Sequence, residues 1–491
     1  MTSFRSLDKF GGRWILAVLV LGGCAAAVPQ LAGLVLAVAL AGAAWRYTDA
    51  TLNLATFVVL GVRPTLDMFS ERRLGLGPLA TSPAAIFGLA VLWTAAVLAI
   101  RRGRDRQPLW GDRVLLGAHV LLFLAYGIAL ASGFQHYGSA ALGTGLREAL
   151  RMGSVVAGFL IVLWWAGGAP GRYRKGWGYI AAGAVVPVSL ALWQLVTVSG
   201  NLETEGINRL QGTFSHPHTL GPYLVPFILC SIAGMTTGLR SVRLAWLGLA
   251  MGLSVLLALT FSRTAELVLI AGLVTLPLLQ ARHLGFRALG RALVVVSVFS
   301  GLGWLIAGDY VRERFSGLRI GAEAVDAART GRTENSLEWR LVNWGGLVTL
   351  GADYPVSGHG LGMTTVLNPL SDYATGLPYT AHDDYVRVFF EAGVLGLSCY
   401  VLYGILLCRW SLLKARSAPA RHAPSAFAIV ASMVSLFFLT AGTPEWGTQT
   451  AVQFELYGML ALLTTVEKPL SIVDASRINE GSEAGRQRPA G

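Results

Sequence analysis

The sequence predicts an all-α, polytopic integral membrane protein: a bundle of about twelve to fourteen transmembrane helices with one large, mostly helical extracytoplasmic loop. Three observations carry this prediction. Of the 491 residues, 54% are hydrophobic and only 13% are charged, a composition that excludes an ordinary soluble enzyme. The apolar residues gather into runs of bilayer-spanning length, and Lys/Arg-rich connections recur between them. One long polar segment, residues 308–384, interrupts the pattern.

Taken in order, the N-terminal runs 14–28, 30–44 and 49–62 are short, but three crossings keep the topology consistent. Spans follow at 82–100, 113–132, 152–168, 177–198, 217–236, 242–260, 263–279 and 288–307. After the loop come 385–408, 424–441 and 449–466, giving about fourteen spans, with twelve as the alternative. The chain thus divides into an N-terminal bundle (1–307), a loop (308–384), C-terminal helices (385–466) and a polar, disordered cytoplasmic tail (467–491). The first run ends in no small-residue cleavage signature and is read as a retained helix.

The net charge of +12 does not indicate nucleic acid, because the basic residues sit in short clusters between apolar runs. The connections 101–107, 171–175, 239–243, 281–291 and 408–416 are the basic ones and are assigned to the cytoplasm. Both termini then fall inside, and residues 199–215, 261–263, the long loop and 443–449 fall outside. Cys24, Cys230, Cys399 and Cys408 lie within or at the ends of apolar runs without metal-ligand spacing, as small core residues do. The GHGLG stretch at 358–362 lacks the Lys-Ser/Thr ending of a phosphate loop.

This topology collects polar residues on the outer face. Arg209 leads into RLQGTFSHPHTLGPYLVPF, where His216 and His218 either cap a helix start or line a site. One residue apart, they fall on opposite sides of a helical start, so sharing a metal requires extended backbone. Arg263 stands between two apolar runs with Glu266 three residues on, either as an ion pair or as a substrate contact.

Within the loop, Asn335 or Ser336 caps a helix whose apolar residues Leu337, Leu341, Trp344 and Val348 recur at helical spacing until Gly351. Arg340 projects from it, with Trp339 and Trp344 as interfacial anchors. Arg312, Arg314, Arg319, Arg329 and Arg332 alternate with acids and read as a solvated face. At the end of the loop, Asp383 or Asp384 caps the next span, and His382 beside them suits a general base near neutral pH. Glu391, an intramembrane acid, has Arg387 one turn away as its simplest partner.

The order Arg209-x-x-Gly212-x-Phe214-x-His216-Pro217, Ser262-Arg263, Trp339-Arg340, Tyr354-Pro355-x-x-Gly358-x-Gly360-x-Gly362, Ala381-His382 and Glu391-x-Gly393 resembles the superfamily of O-antigen ligases and lipid-linked oligosaccharide polymerases. The resemblance covers roughly residues 205–400. It implies a bacterial inner-membrane glycosyltransferase that takes a glycan from undecaprenyl diphosphate on the periplasmic side. The acceptor is another lipid-linked repeat unit for a polymerase and lipid A core for a ligase. The resemblance further implies that Arg263 and Arg340 contact the donor diphosphate and that His382 assists the acceptor hydroxyl. Arg209, His216, His218, Gly358, Gly360, Asp383, Asp384, Tyr385 and Glu391 are grouped around them as substrate-binding residues. Asp383 and His218 stand where relatives often carry asparagine.

The chemistry of the residues agrees. A glycosyl diphosphate already has a good leaving group, so an enzyme must neutralise growing negative charge and position an alcohol. Guanidinium groups do the first by forking onto phosphate oxygens, which leaves no requirement for a metal or other cofactor. A polymerase of O-antigen or exopolysaccharide is the favoured reading, a ligase the alternative and a lipid-linked glycan transporter the second alternative. The implied partners are the polyprenyl-linked donor, a glycan or lipid-linked acceptor and membrane lipid, with a chain-length regulator or flippase as protein partners to look for.

Overall fold

The computed structural model describes residues 49–69, 82–105, 110–167, 171–197, 202–204, 207–236, 240–284, 336–368, 370, 380–439 and 450–465. The expected spans at 14–28, 30–44 and 288–307, the arginines between 308 and 335, Cys24 and the tail lie outside these residues.

The chain is an all-α polytopic membrane protein. It begins with α1 (Asp49–Phe57), which runs through a π-helical turn (Val58–Val62) into a single turn at Arg63–Leu66. Four long helices follow: α2 (Pro83–Arg104), α3 (Arg113–Tyr137), α4 (Ser139–Ala166) and α5 (Arg172–Thr197). Then come α6 (Pro217–Gly234), α7 (Arg240–Ala258) and α8 (Arg263–Leu284). Last are the loop helix α9 (Ser336–Gly351), α10 (Asp384–Arg416), α11 (Ala423–Phe438) and α12 (Thr450–Leu462). Among the described residues, seven of these helices are long and apolar enough to cross a membrane. The departure from pure helix is a two-stranded hairpin, β1 (Leu202–Thr204) against β2 (Ile207–Arg209), with Leu202 opposite Arg209.

Most helix boundaries fall where the sequence places them, and α4 shows why one does not. The predicted span begins at 152 because Arg147, Glu148 and Arg151 precede it, yet the helix continues back to Ser139. Arg151 pairs with Glu148 one turn away, so the charges are carried on the helix rather than ending it.

In lipid the association of helices depends on close packing and internal hydrogen bonds more than on burial from water. The broadest interface joins α3 to α10, and α4 packs between α2 and α12. Tyr403 and Tyr457 share a hydroxyl hydrogen bond between α10 and α12, and Tyr173 reaches Ser425 at 2.6 Å. The outer surfaces remain apolar: α3 exposes Leu116, Val120, Phe123 and Leu124, as a lipid-facing helix must. Cys230 is buried, and Cys399 and Cys408 are half-buried and unpaired with each other, as small core residues.

Candidate functional site

The beginnings of α6, α8 and α10 meet at one end of the bundle. Their approach is close because α6 has Gly221 where a Cβ would come within 2.5 Å of Ala265 on α8. His216 caps α6 in an extended conformation (φ −145°, ψ 140°). The extended cap overturns the expectation that His216 and His218 face opposite ways, for their rings stack with centroids 4.7 Å apart. His218 Nδ1 lies 3.1 Å from the Ser262 hydroxyl, which ties α6 to the residue preceding Arg263.

Arg263 follows a tight turn after α7. Phe261 in that turn has a left-handed backbone (φ 49°), an expensive conformation for a bulky residue. Arg209 holds the turn: its Nε donates to the Thr260 carbonyl at 2.9 Å and its Nη2 to the Phe261 carbonyl at 3.0 Å. Among the described residues, the other non-glycine residue with a left-handed backbone is His382 (φ 52°), immediately before the cap of α10. Local strain therefore accompanies both turns that carry predicted site residues.

Arg340 is half-buried on α9, close enough to Arg263 and Arg209 to feel both charges. Burial, then the positive charge of Arg263 and of Arg209, pushes its pKa down to about 10, so it stays protonated at neutral pH. His216 is pushed down to about 4 by partial withdrawal of its ring from water, then by Arg209, His382 and Arg340. The structure thus brings Arg209, Arg263, Arg340, His216, His218 and His382 into one electrostatic neighbourhood. Glu266 on the first turn of α8 lies within the field of Arg263.

Two tryptophans tie α9 to the start of α10: Trp344 Nε1 donates to the Ala381 carbonyl at 2.8 Å, and the Trp339 ring meets His382 edge-on at 5.4 Å. The inward face of α9 is set by polar bonds rather than by the apolar stripe. Asn343 donates to the Thr380 carbonyl at 2.9 Å and accepts from Asn368, and Leu341 and Val348 turn outward.

At the start of α10, Asp383 is the cap and accepts the Val386 N–H at 2.8 Å. Asp384 is fully buried and receives Arg387 at 3.1 Å and the Tyr400 hydroxyl at 3.2 Å. Arg387 also lies 3.8 Å from Glu391, the pairing expected from the sequence. The Tyr385 hydroxyl donates to the Phe437 carbonyl at 3.0 Å and fixes α10 to α11.

Gly393 breaks α10 with φ 64° and ψ −167°. The break frees backbone groups that capture the Tyr354–Gly360 turn. His359 N donates to the Phe390 carbonyl at 2.8 Å, Gly360 N to the Glu391 carbonyl at 2.9 Å and Val394 N to the Pro355 carbonyl at 2.8 Å. Gly358 and Gly360 permit this contact, since a Cβ on either would meet backbone of Glu391 and Ala392 or of Gly133 within 2.5 Å. Both predicted glycines therefore have a packing role. Thr364 donates to Glu391 at 2.5 Å and closes the joint.

Two contributors to this support escape sequence reasoning. His359 Nε2 donates to the Leu350 carbonyl at 2.8 Å, leaving Nδ1 to accept from Tyr137 at 2.7 Å, and Ser132 donates to the Gly358 carbonyl. Tyr137 and Ser132 are more than 200 residues from the groups they bond, and no local spacing announces them.

Residues 247–401 match the family model described as O-antigen ligase. No curated protein matches the chain significantly. The matched segment includes Arg263, Arg340, His382 and the Gly393 break, whereas Arg209, His216 and His218 precede it. This match, in a multi-pass membrane protein, supports a ligase- or polymerase-type activity.

Proposed function

We propose that the protein is a polysaccharide polymerase of the inner membrane, acting on undecaprenyl-diphosphate-linked repeat units at the outer face with both termini in the cytoplasm. The supporting observation is the convergence of Arg209, Arg263 and Arg340 at a membrane-helix edge, where Arg263 and Arg209 raise the cost of the Arg340 charge and an arriving anion lowers it. A diphosphate is such an anion, and guanidinium is its matched donor. In this reading residues 308–384 form the catalytic loop on a membrane scaffold of residues 1–307 and 385–466, ahead of the tail at 467–491.

Arg263 and Arg340 bind the diphosphate and stabilise its growing charge, and Arg209 holds the Arg263 turn while adding its own field. The acceptor oxygen attacks the anomeric carbon from the side opposite the diphosphate, the carbon–oxygen bond to phosphate breaks, and undecaprenyl diphosphate departs. His382 takes the hydroxyl proton, so the configuration inverts without a metal. His216 and His218 line the acceptor side. Asp383, Asp384, Tyr385 and Glu391 act by fixing α10 and the loop turn that carry His382.

A ligase reading is favoured by the description of the matched family, and it differs only in the acceptor. Deleting the gene in its host and resolving surface glycans by gel and mass spectrometry separates the two. Single lipid-linked repeat units accumulating without polymer supports the polymerase. Long lipid-linked chains that never reach lipid A core mark a ligase, and unchanged glycans sink both.

A further inference from the structure

A cavity of about 200 Å³ lies near the C-terminal end of α10, far from His382, which precedes its N-terminus. Its walls include Arg102 of α2, Trp110, Asp112, Trp164 of α4, and Trp410 and Lys414 of α10. From these residues we infer a binding site for the phosphodiester headgroup of an anionic phospholipid, separate from the proposed catalytic centre.

The first argument is an unused donor. Trp410 is 1% exposed, and its indole Nε1 has no hydrogen-bond partner among the described residues. A buried donor of this kind normally has an acceptor, and a phosphate oxygen in the cavity supplies one. The second is charge. Lys414 Nζ stands 3.5 Å from Asp112 Oδ2, while Asp112 Oδ1 caps α3 through the Val114 N–H at 2.9 Å and the Leu115 N–H at 3.5 Å. The wall thus sets two cations, Arg102 and Lys414, beside one carboxylate that Lys414 and the α3 cap share, a lining that suits a singly charged phosphodiester. The Arg102 guanidinium lies 5.8 Å over the Trp164 ring, which holds the cation at the wall.

The third argument decides for lipid over a soluble anion. Ile100 and Trp93 on α2 and Leu413 on α10 are exposed apolar side chains on the helices that form the cavity, a surface suited to acyl chains. The same end of the bundle carries the basic connections that begin or end α2, α5 and α10, where anionic headgroups gather.

The test uses the full-length protein in detergent, with phosphatidylglycerol, phosphatidylethanolamine and inorganic phosphate as separate additions, read by native mass spectrometry and thermal unfolding. Phosphatidylglycerol should be retained in preference to phosphatidylethanolamine, and Arg102→Gln combined with Lys414→Gln should weaken it about tenfold. Trp410→Phe keeps the ring packing and removes only the donor, so it should weaken retention several-fold while the lipid-free protein unfolds as the wild type does. Equal retention of both lipids, or unchanged retention in both variants, overturns the site. Protection by inorganic phosphate with none by phosphatidylglycerol overturns the lipid assignment in favour of a soluble anion.

Discussion

The two ends of the bundle treat cations differently. Near the C-terminus of α10, positive side chains find carboxylates and rings. Lys414 stands by Asp112, Arg172 lies 3.2 Å from Asp49 and near Trp165, and Arg102 covers Trp164. Where α6, α8 and α10 begin, Arg263 and Arg209 press on Arg340, and Arg209, Arg340 and His382 press on His216 and His218. The first arrangement stabilises the free protein. The second sets like charges close together beside strained turns, an arrangement that an entering anion relieves.

Breaking the repulsive end should have the largest effect. Arg340→Ala or Arg263→Ala should lower glycan transfer from a lipid-linked donor by about a thousandfold, measured on purified protein in vitro. Arg340→Lys should recover little of this, because a point charge does not reproduce the fork. If both alanine variants keep full activity, the proposed site is wrong. His382→Ala should cost about a hundredfold or more in turnover while leaving donor binding nearly unchanged, a split that steady-state kinetics can read.

A smaller effect separates the site from its support. Gly393→Ala puts a Cβ 2.2 Å from the Val356 carbonyl at a φ of 64°. It should destabilise the fold by about 3 kcal/mol and lower the unfolding temperature in detergent. Gly103→Ala, in a helix with open space around it, should leave that temperature unchanged or raise it slightly. Equal effects from the two substitutions would remove the special role of the break in α10.

What could be read from the sequence follows from the range of the forces involved. The loop helix, its end at Gly351 and the cap at Asp383 are local matters of spacing and propensity, and they stand where the residues predict. The pairing of Arg387 with Glu391 is equally local. The inward face of α9 is not, because Asn343 chooses it by bonding to Thr380 and Asn368, residues that come near only in the folded chain. The His216–His218 stack depends on an extended cap, which a helical wheel cannot represent. Gly393 is visible in the sequence as a glycine in an apolar span, but its reason is the turn it captures, and that turn belongs to another part of the chain.

The subtlest contrast between the two ends lies in their response to pH. His216 has a folded-state pKa of about 4, below the ordinary 6.5, so it is neutral in the free protein at neutral pH. A group depressed on folding contributes stability that is present above its unfolded value and lost as pH falls toward the folded one. Unfolding curves should therefore show a modest loss of stability between pH 6.5 and about 4 that His216→Gln reduces. A bound diphosphate favours the imidazolium and must raise the same pKa, so its affinity should tighten as pH falls through that window. Calorimetry in buffers of different ionisation enthalpy would register proton uptake on binding. Uptake that persists in His216→Gln would assign the proton elsewhere, with His218 the next group to test, since it shares the field of Arg209 and Arg340.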